Sequence, residues 1–390
     1  MRLFVLALAA FCILFRVDSL AKPLDRVEAV AVTSPAGGVR LNGLLRLPSG
    51  PGPFPAAVLL PERGADAAGP HSPNSEMMNG LADYLVSQGV AVLRLKERGH
   101  GGSGGSATAT TLAERSTDAI AALNFLRTRP QIDVTRLGLI GHGEGANVAL
   151  LAGAQPLAPT FVVAVAAAGV PGRELLAAQP VMYGKVLGND TTDLARLHQY
   201  ERAMRAAEQE AAKLRAHGSN AAQVQTYLDQ QRLRQKAAMR RDEESLVKHQ
   251  RAMLEIVRQT PDNSQAQAIL SNMLRQRYPG IAPADVQTTV QTLTTPAYRS
   301  FLSFDPQPAL PEVKCPVLLL HGEADREVNA TLNLTALRKG LRTNTKVAEL
   351  RYPNLNHTLQ FASDSPADAA AAAFNPDTPA DIYKWIVSQK

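Results

Sequence analysis

Three glycines at alternate positions, in Gly141-His142-Gly143-Glu144-Gly145, constrain what this chain can fold into more than any other feature. The run Arg136-Leu137-Gly138-Leu139-Ile140 before them predicts a short buried strand, and Ala146 to Ala154 after them predicts a helix. A strand that turns sharply into a helix through small residues is the frame of G-x-S-x-G, whose central serine stands exposed on a strained turn. The central residue here is Gly143, which has no side chain. The mount for a nucleophile is present and the nucleophile is absent.

The rest of the chain supplies a setting for that turn. Ala56 to Leu60, Val90 to Leu95, Phe161 to Ala167 and Val317 to Leu320 are short apolar runs, with helix-like segments at 75–88, 114–129 and 146–154. Continuous apolar strands alternating with helices indicate a mainly parallel sheet covered on both faces, an α/β fold. Residues 27–47 hold two extended stretches around Ser34-Pro35-Ala36-Gly37-Gly38, a hairpin signal. The alternation stops near Pro171 and resumes near Pro311. Between them Leu194, Leu197, Met204, Ala207, Ala211 and Leu214 form an apolar helical stripe interrupted by Glu201. His217-Gly218-Ser219-Asn220 ends that helix, Asn220 caps the next, and further helices are expected over 221–258, 264–277 and 284–293. Residues 173–300 therefore read as a helical cap inserted into a core of 22–172 and 301–390.

Acyl transfer needs a nucleophile, a base, an acid that orients the base, and donors for the oxyanion. In this fold the order along the chain is nucleophile, acid, histidine. Leu318-Leu319-Leu320-His321-Gly322-Glu323-Ala324-Asp325 places Asp325 just after a buried strand. Pro353-Asn354-Leu355-Asn356-His357 places His357 after the strand Val347 to Arg351. Gly64, Glu144 and His142 are the candidate oxyanion and pocket residues around the turn.

Together with Arg98-Gly99-His100-Gly101-Gly102-Ser103 and Phe301-Leu302-Ser303-Phe304-Asp305-Pro306, these motifs are similar to those of a bacterial family of exported α/β-hydrolases, carboxylesterases or serine-aminopeptidase-like hydrolases. The resemblance covers roughly residues 25–390 and implies an α/β-hydrolase fold with Asp325 as the acid and His357 as the base. Three departures stand out. The family has serine where Gly143 stands. It usually has a Gly-Ser-Gly-Pro type oxyanion loop where this chain reads Pro61-Glu62-Arg63-Gly64-Ala65, and two acidic residues where it reads Lys96-Glu97. Three changes near one site point to drift from the ancestral chemistry. A non-glycine residue at the strained turn costs about 1–3 kcal/mol, so stability alone favours Gly143 once catalysis ceases to matter.

Other chemistries fit less well. Gly141 to Ala146 also satisfies G-x-G-x-x-A, but after Glu144 the next acidic residue is Glu174, beyond the following strand. Gly99 to Gly105 lacks the lysine and serine of a phosphate loop. No histidine pair has zinc-motif spacing, so neither metal nor cofactor is expected. The formal charge of +6 and pI near 9.4 raise nucleic acid as a partner, but cap cations alternate with Glu201, Glu208, Glu210, Glu243 and Glu244, which reads as a solvated face. Arg2, the apolar Leu3 to Phe15 and Ser19-Leu20-Ala21 read as a secretory signal over residues 1–21, with an apolar run of about 13 residues that is short of a membrane span. A secreted or periplasmic location follows, with no stable span in the mature chain. Cys12 would leave with the signal, and Cys315 would remain alone, a core residue.

The expected function is that of a secreted carboxylic-ester or acyl hydrolase by lineage, with weak or lost turnover. A protein that binds a small ester or acyl ligand without catalysis is the alternative. His357, oriented by Asp325, is expected to retain slow hydrolysis by activating a water.

Overall fold

A computed structural model describes residues 25–179, 191–362 and 374–389, with the backbone alone along 191–197. Residues 1–21, read above as a signal, including Cys12, lie outside the described residues, as do the side chains of Leu194 and Leu197.

Eight strands form one sheet in the order β1-β2-β4-β3-β5-β6-β7-β8. The hairpin signal becomes β1 (Arg26–Ser34) and β2 (Val39–Leu47), paired antiparallel, and β2 is antiparallel to β4 (Ala91–Leu95). From there β3 (Phe54–Leu60), β5 (Ile132–His142), β6 (Val162–Val165), β7 (Val317–Gly322) and β8 (Val347–Tyr352) continue in parallel. Strand β5 is longer than its apolar run because parallel pairing with β3 and β6 carries it through Gly141 and His142.

The apolar runs alternate between two cores, as the two-residue period of a strand requires. Val317 and Leu319 pack on one side with α2 (Leu112–Arg127), α3 (Glu144–Gly153) and a helix over Ala330–Gly340. Leu318 and Leu320 pack on the other with α1 (Pro73–Ser87) and a helix over Asp377–Ser388. This is the α/β-hydrolase fold. Helix α2 starts two residues before the expected 114 because Thr111 and Glu114 build a reciprocal capping box.

Between β6 and β7 the chain forms α4 (Gly172–Ala178), α5 (Thr191–Ala216), α6 (Ala221–Gln259), α7 (Asn263–Arg277), α8 (Pro283–Leu293) and α9 (Pro296–Leu302). These helices bury a cluster of their own around Met253, Val257, Leu270, Leu274, Val290 and Leu293. In α5 the expected stripe is buried only at Ala207 and Ala211, while Met204 and Leu214 are half-buried. Asn220 caps α6 by accepting the Gln223 N–H at 2.9 Å. Cations on α5 and α6 pair along their own helices, as in Lys213 with Glu210 and Arg232 with Asp229, the solvated pattern read from the sequence. Among the described residues no helix is long and apolar enough to cross a membrane.

Candidate active site

The β5–α3 turn is tight for steric reasons. A Cβ on Gly145 would strike the Leu60 carbonyl at the end of β3. Gly143 has φ +55° and ψ −121°, donates its N–H to Val165 O at 3.0 Å, and accepts from Ala146 N at 3.1 Å. That conformation disfavours any side chain. Glu62 crowds the space above it. A Cβ on Gly143 would lie 3.2 Å from Glu62 Cγ and Cδ and 3.3 Å from Oε1.

Asp325 and His357, 32 residues apart in sequence, meet at the carboxyl edge of the sheet. His357 Nδ1 lies 2.8 Å from Asp325 Oδ2. Asp325 Oδ1 accepts the N–H groups of Glu327 and Val328, both at 2.8 Å, so the carboxylate is fixed from two sides. Its side chain is fully buried. Burial opposes its ionisation, but the His357 charge and these hydrogen bonds prevail and hold its pKa below the usual value.

The other edge of the imidazole faces carboxylates as well. Glu62 Oε1 is 3.7 Å and Glu327 Oε2 is 3.9 Å from His357 Nε2. Glu62 Oε1 is thus the oxygen that faces the histidine, from above the residue where a serine would stand. Burial favours neutral imidazole, yet Asp325, Glu327 and Glu62 overcome it and raise the His357 pKa well above 6.5. The sign has two consequences. The shift favours the doubly protonated ring, and its contribution to stability is complete below pH 6.5 and is lost as pH rises through its folded pKa. A ring held toward its protonated form is a weaker acceptor for a proton from water, which works against the general-base role expected of His357. Sequence reasoning noted Glu62 as a departure in the loop but missed it as a site group. No local motif signals a side chain that reaches across from β3.

The three candidate oxyanion and pocket residues divide. Gly64 and Glu144 line a cavity of about 610 Å³. The Gly64 N–H, however, is donated to Glu97 Oε1 at 3.0 Å, so it is no free oxyanion donor. The Glu144 carboxylate is buried between two guanidinium groups: Oε1 lies 2.7 Å from both Arg63 Nη2 and Arg115 Nη1, and Oε2 lies 3.0 Å from Arg63 Nε. Arg63 also donates to Ala107 O and Arg115 to Pro61 O, each at 2.8 Å. Burial opposes ionisation of Glu144, and Arg115 and Arg63 reverse that, keeping its pKa below 4.5. Its backbone N–H lies in the first turn of α3, where N–H groups have no partner within the helix. His142 does not line the cavity. Its ring is fully buried, with Nε2 donating to His357 O at 2.9 Å and Nδ1 accepting from Asn74 Nδ2 at 3.0 Å. Burial lowers its pKa to about 4, and it stays neutral.

The remaining motifs are structural. Arg98 grips Asp118 through Nε and Nη2 at 2.8 and 2.7 Å, and Ser103 Oγ accepts the Asn42 N–H at 2.9 Å, pinning the glycine-rich turn to β2. Lys96 pairs with Asp66 at 2.7 Å. Cys315 is half-buried, and burial raises its thiol pKa to about 11, so it is no thiolate nucleophile.

The cavity runs from Gly143, Glu62 and Glu327 to Leu175, Leu176, Tyr298 and Phe301 on the inserted helices, so core and insertion wall it together.

Residues 71–266 match the hydrolase family described as serine aminopeptidase, S33. Esterase EstD of Thermotoga maritima is 33% identical over 106 residues, which cover 27% of this chain and 25% of that esterase. The match thus spans about a quarter of that relative's length. Two solved structures share the fold at low identity. Esterase Pf2001 of Pyrococcus furiosus is 13% identical, with a TM-score of 0.51 over 93% of this chain and 90% of that one. The hypothetical protein PA2218 of Pseudomonas aeruginosa is 17% identical, with a TM-score of 0.51 over 95% of each chain.

Proposed function

Because the chain belongs to the serine aminopeptidase S33 family of hydrolases, we propose that its cavity receives a small ester or acyl compound but no longer turns it over through an acyl-enzyme. The observation that carries this reading is the position of Glu62. Its carboxylate fills the space above Gly143 and faces His357 Nε2, the atom that would activate a serine hydroxyl. Esterase EstD supports the ester class, and the largely apolar walls around Leu175, Leu176 and Phe301 suit an acyl chain.

The magnitude of the loss decides between an enzyme and a binder. Removing the serine of a serine protease lowers turnover by about 10⁶, and roughly 10³–10⁴ over water can remain from binding and the oxyanion hole. Here the Gly64 N–H is engaged by Glu97 and the carboxylates around His357 favour its protonated form, and both work against that residual.

Rapid mixing with p-nitrophenyl butyrate, alongside thermal denaturation with and without butyrate, tests the reading. No stoichiometric burst of p-nitrophenol is expected, whereas butyrate should raise the melting temperature. A burst equal to the enzyme concentration would show an acyl-enzyme and overturn the proposal. Absence of any butyrate effect would remove its binding half.

A further inference from the structure

Two histidines and a carboxylate converge beneath the cavity although 80 and 215 residues separate them in sequence. Ligand atoms of Glu62, His142 and His357 lie within 4.8 Å of one another. Both rings are anchored as metal ligands are, with one ring N–H donated to a carbonyl or carboxylate and the other nitrogen turned inward. His142 donates Nε2–H to the His357 carbonyl at 2.9 Å, so Nδ1 presents a lone pair. His357 donates Nδ1–H to Asp325 at 2.8 Å and turns Nε2 toward Glu62.

We propose that Glu62, His142 and His357 form a binding site for one divalent transition-metal ion of the zinc type, held by two imidazole nitrogens and a carboxylate oxygen. Two histidines and a glutamate are a donor set that suits zinc and leaves a coordination position open. That position faces the cavity, since Glu62 lines its floor and is partly exposed there.

Independent observations point to a cation. His357 Nε2 is buried, with its side chain only 6% exposed, and makes no hydrogen bond of normal length, Glu62 Oε1 standing 3.7 Å and Glu327 Oε2 3.9 Å away. Asn74 Oδ1 is likewise buried without a partner, while its Nδ2 bridges Glu62 Oε2 at 3.3 Å and His142 Nδ1 at 3.0 Å. The Asn74 amide thus occupies the place of an ion between two acceptors. Turning it over presents Oδ1 as a further ligand. Three carboxylates, Asp325, Glu62 and Glu327, stand within 3.9 Å of the ring nitrogens of this one imidazole, a negative setting that favours a cation beside Nε2. Drawing donors that lie within 4.8 Å of one another to the roughly 3.4 Å spacing of a tetrahedral ion with bonds of about 2.1 Å needs withdrawal of the Asn74 amide, rotation of Glu62 and a closer approach of the two rings.

The site adjoins the acyl cavity, yet metal uptake is independent of ester turnover, and the two readings can fail separately. The test is titration of the purified, metal-stripped chain with Co²⁺, followed by visible ligand-field absorption and calorimetry. One Co²⁺ per chain is expected, displaced by Zn²⁺, with affinity reduced at least tenfold in both Glu62→Gln and His357→Gln. The His71→Ala, His217→Ala double variant, which removes two exposed histidines, should bind as the unmodified chain does. Far-UV circular dichroism distinguishes a folded variant from a collapsed one, and Glu62→Gln keeps the shape of the side chain. Absence of stoichiometric uptake, uptake unchanged in folded Glu62→Gln, or uptake lost in the double surface variant would each overturn the site.

Discussion

Restoring the serine alone should not restore the enzyme. The Gly143→Ser variant is expected to stay within about tenfold of the unmodified chain on short p-nitrophenyl esters. Gly143→Ser combined with Glu62→Gly should exceed it by at least about a hundredfold, equivalent to some 2.7 kcal/mol of barrier. The reason is steric first. A Cβ at 143 already meets Glu62 Cγ and Cδ at 3.2 Å, and the hydroxyl of a serine would have to share that space with a carboxylate. It is then electrostatic. Asp325, Glu327 and Glu62 raise the His357 pKa, which weakens the ring as the proton acceptor a new serine needs. Removing Glu62 clears the space and takes away one of the raising charges at once. The backbone asks for a further adjustment, since φ of +55° costs a serine about 1–3 kcal/mol. Steady-state kcat/KM of the three proteins, at neutral pH and again at higher pH, checks the argument. A single variant as active as the double would show that Glu62 does not obstruct.

The largest stability effect is expected away from the reacting position. Glu144→Ala should destabilise the fold by about 3–5 kcal/mol, because it removes the carboxylate that both buried guanidinium groups, Arg63 and Arg115, are hydrogen-bonded to. Both guanidinium groups are mostly buried, and each also holds a backbone carbonyl, Ala107 O or Pro61 O. Glu144→Gln should cost less, since an amide still accepts one hydrogen bond. The pH dependence has a definite sign. The Glu144 pKa is depressed in the fold, so its contribution is complete above pH 4.5 and is lost as pH falls through its folded pKa. Urea denaturation of the three proteins at neutral and acidic pH measures this. The gap between Glu144→Ala and the unmodified chain should narrow in acid.

The elements were legible where a residue's own neighbours decide its state. The β5–α3 turn, the helices around 112–127 and 144–153 and the cap of α6 follow from apolar period and capping residues. Asp325 and His357 could be placed because each follows a strand end, and parallel strands deliver their carboxyl ends to one edge. Glu62, Asn74 and His142 could not. Their surroundings are made by residues 12 to 215 positions away, through packing that no local pattern encodes. Glu144 shows the same limit from the other side. Its place after the turn suggested a pocket group, whereas Arg63 and Arg115 turn its carboxylate into part of the scaffold.

The protonation of His357 tests most directly whether Glu62 has replaced the nucleophile as the histidine's neighbour. Nitrogen-15 NMR of the metal-free chain, labelled at histidine, should show both ring nitrogens of His357 protonated at neutral pH. In Glu62→Gln the same titration should move to lower pH. A neutral His357 at pH 7 in the unmodified chain, with Nε2 bare and its titration unmoved by Glu62→Gln, would contradict the account.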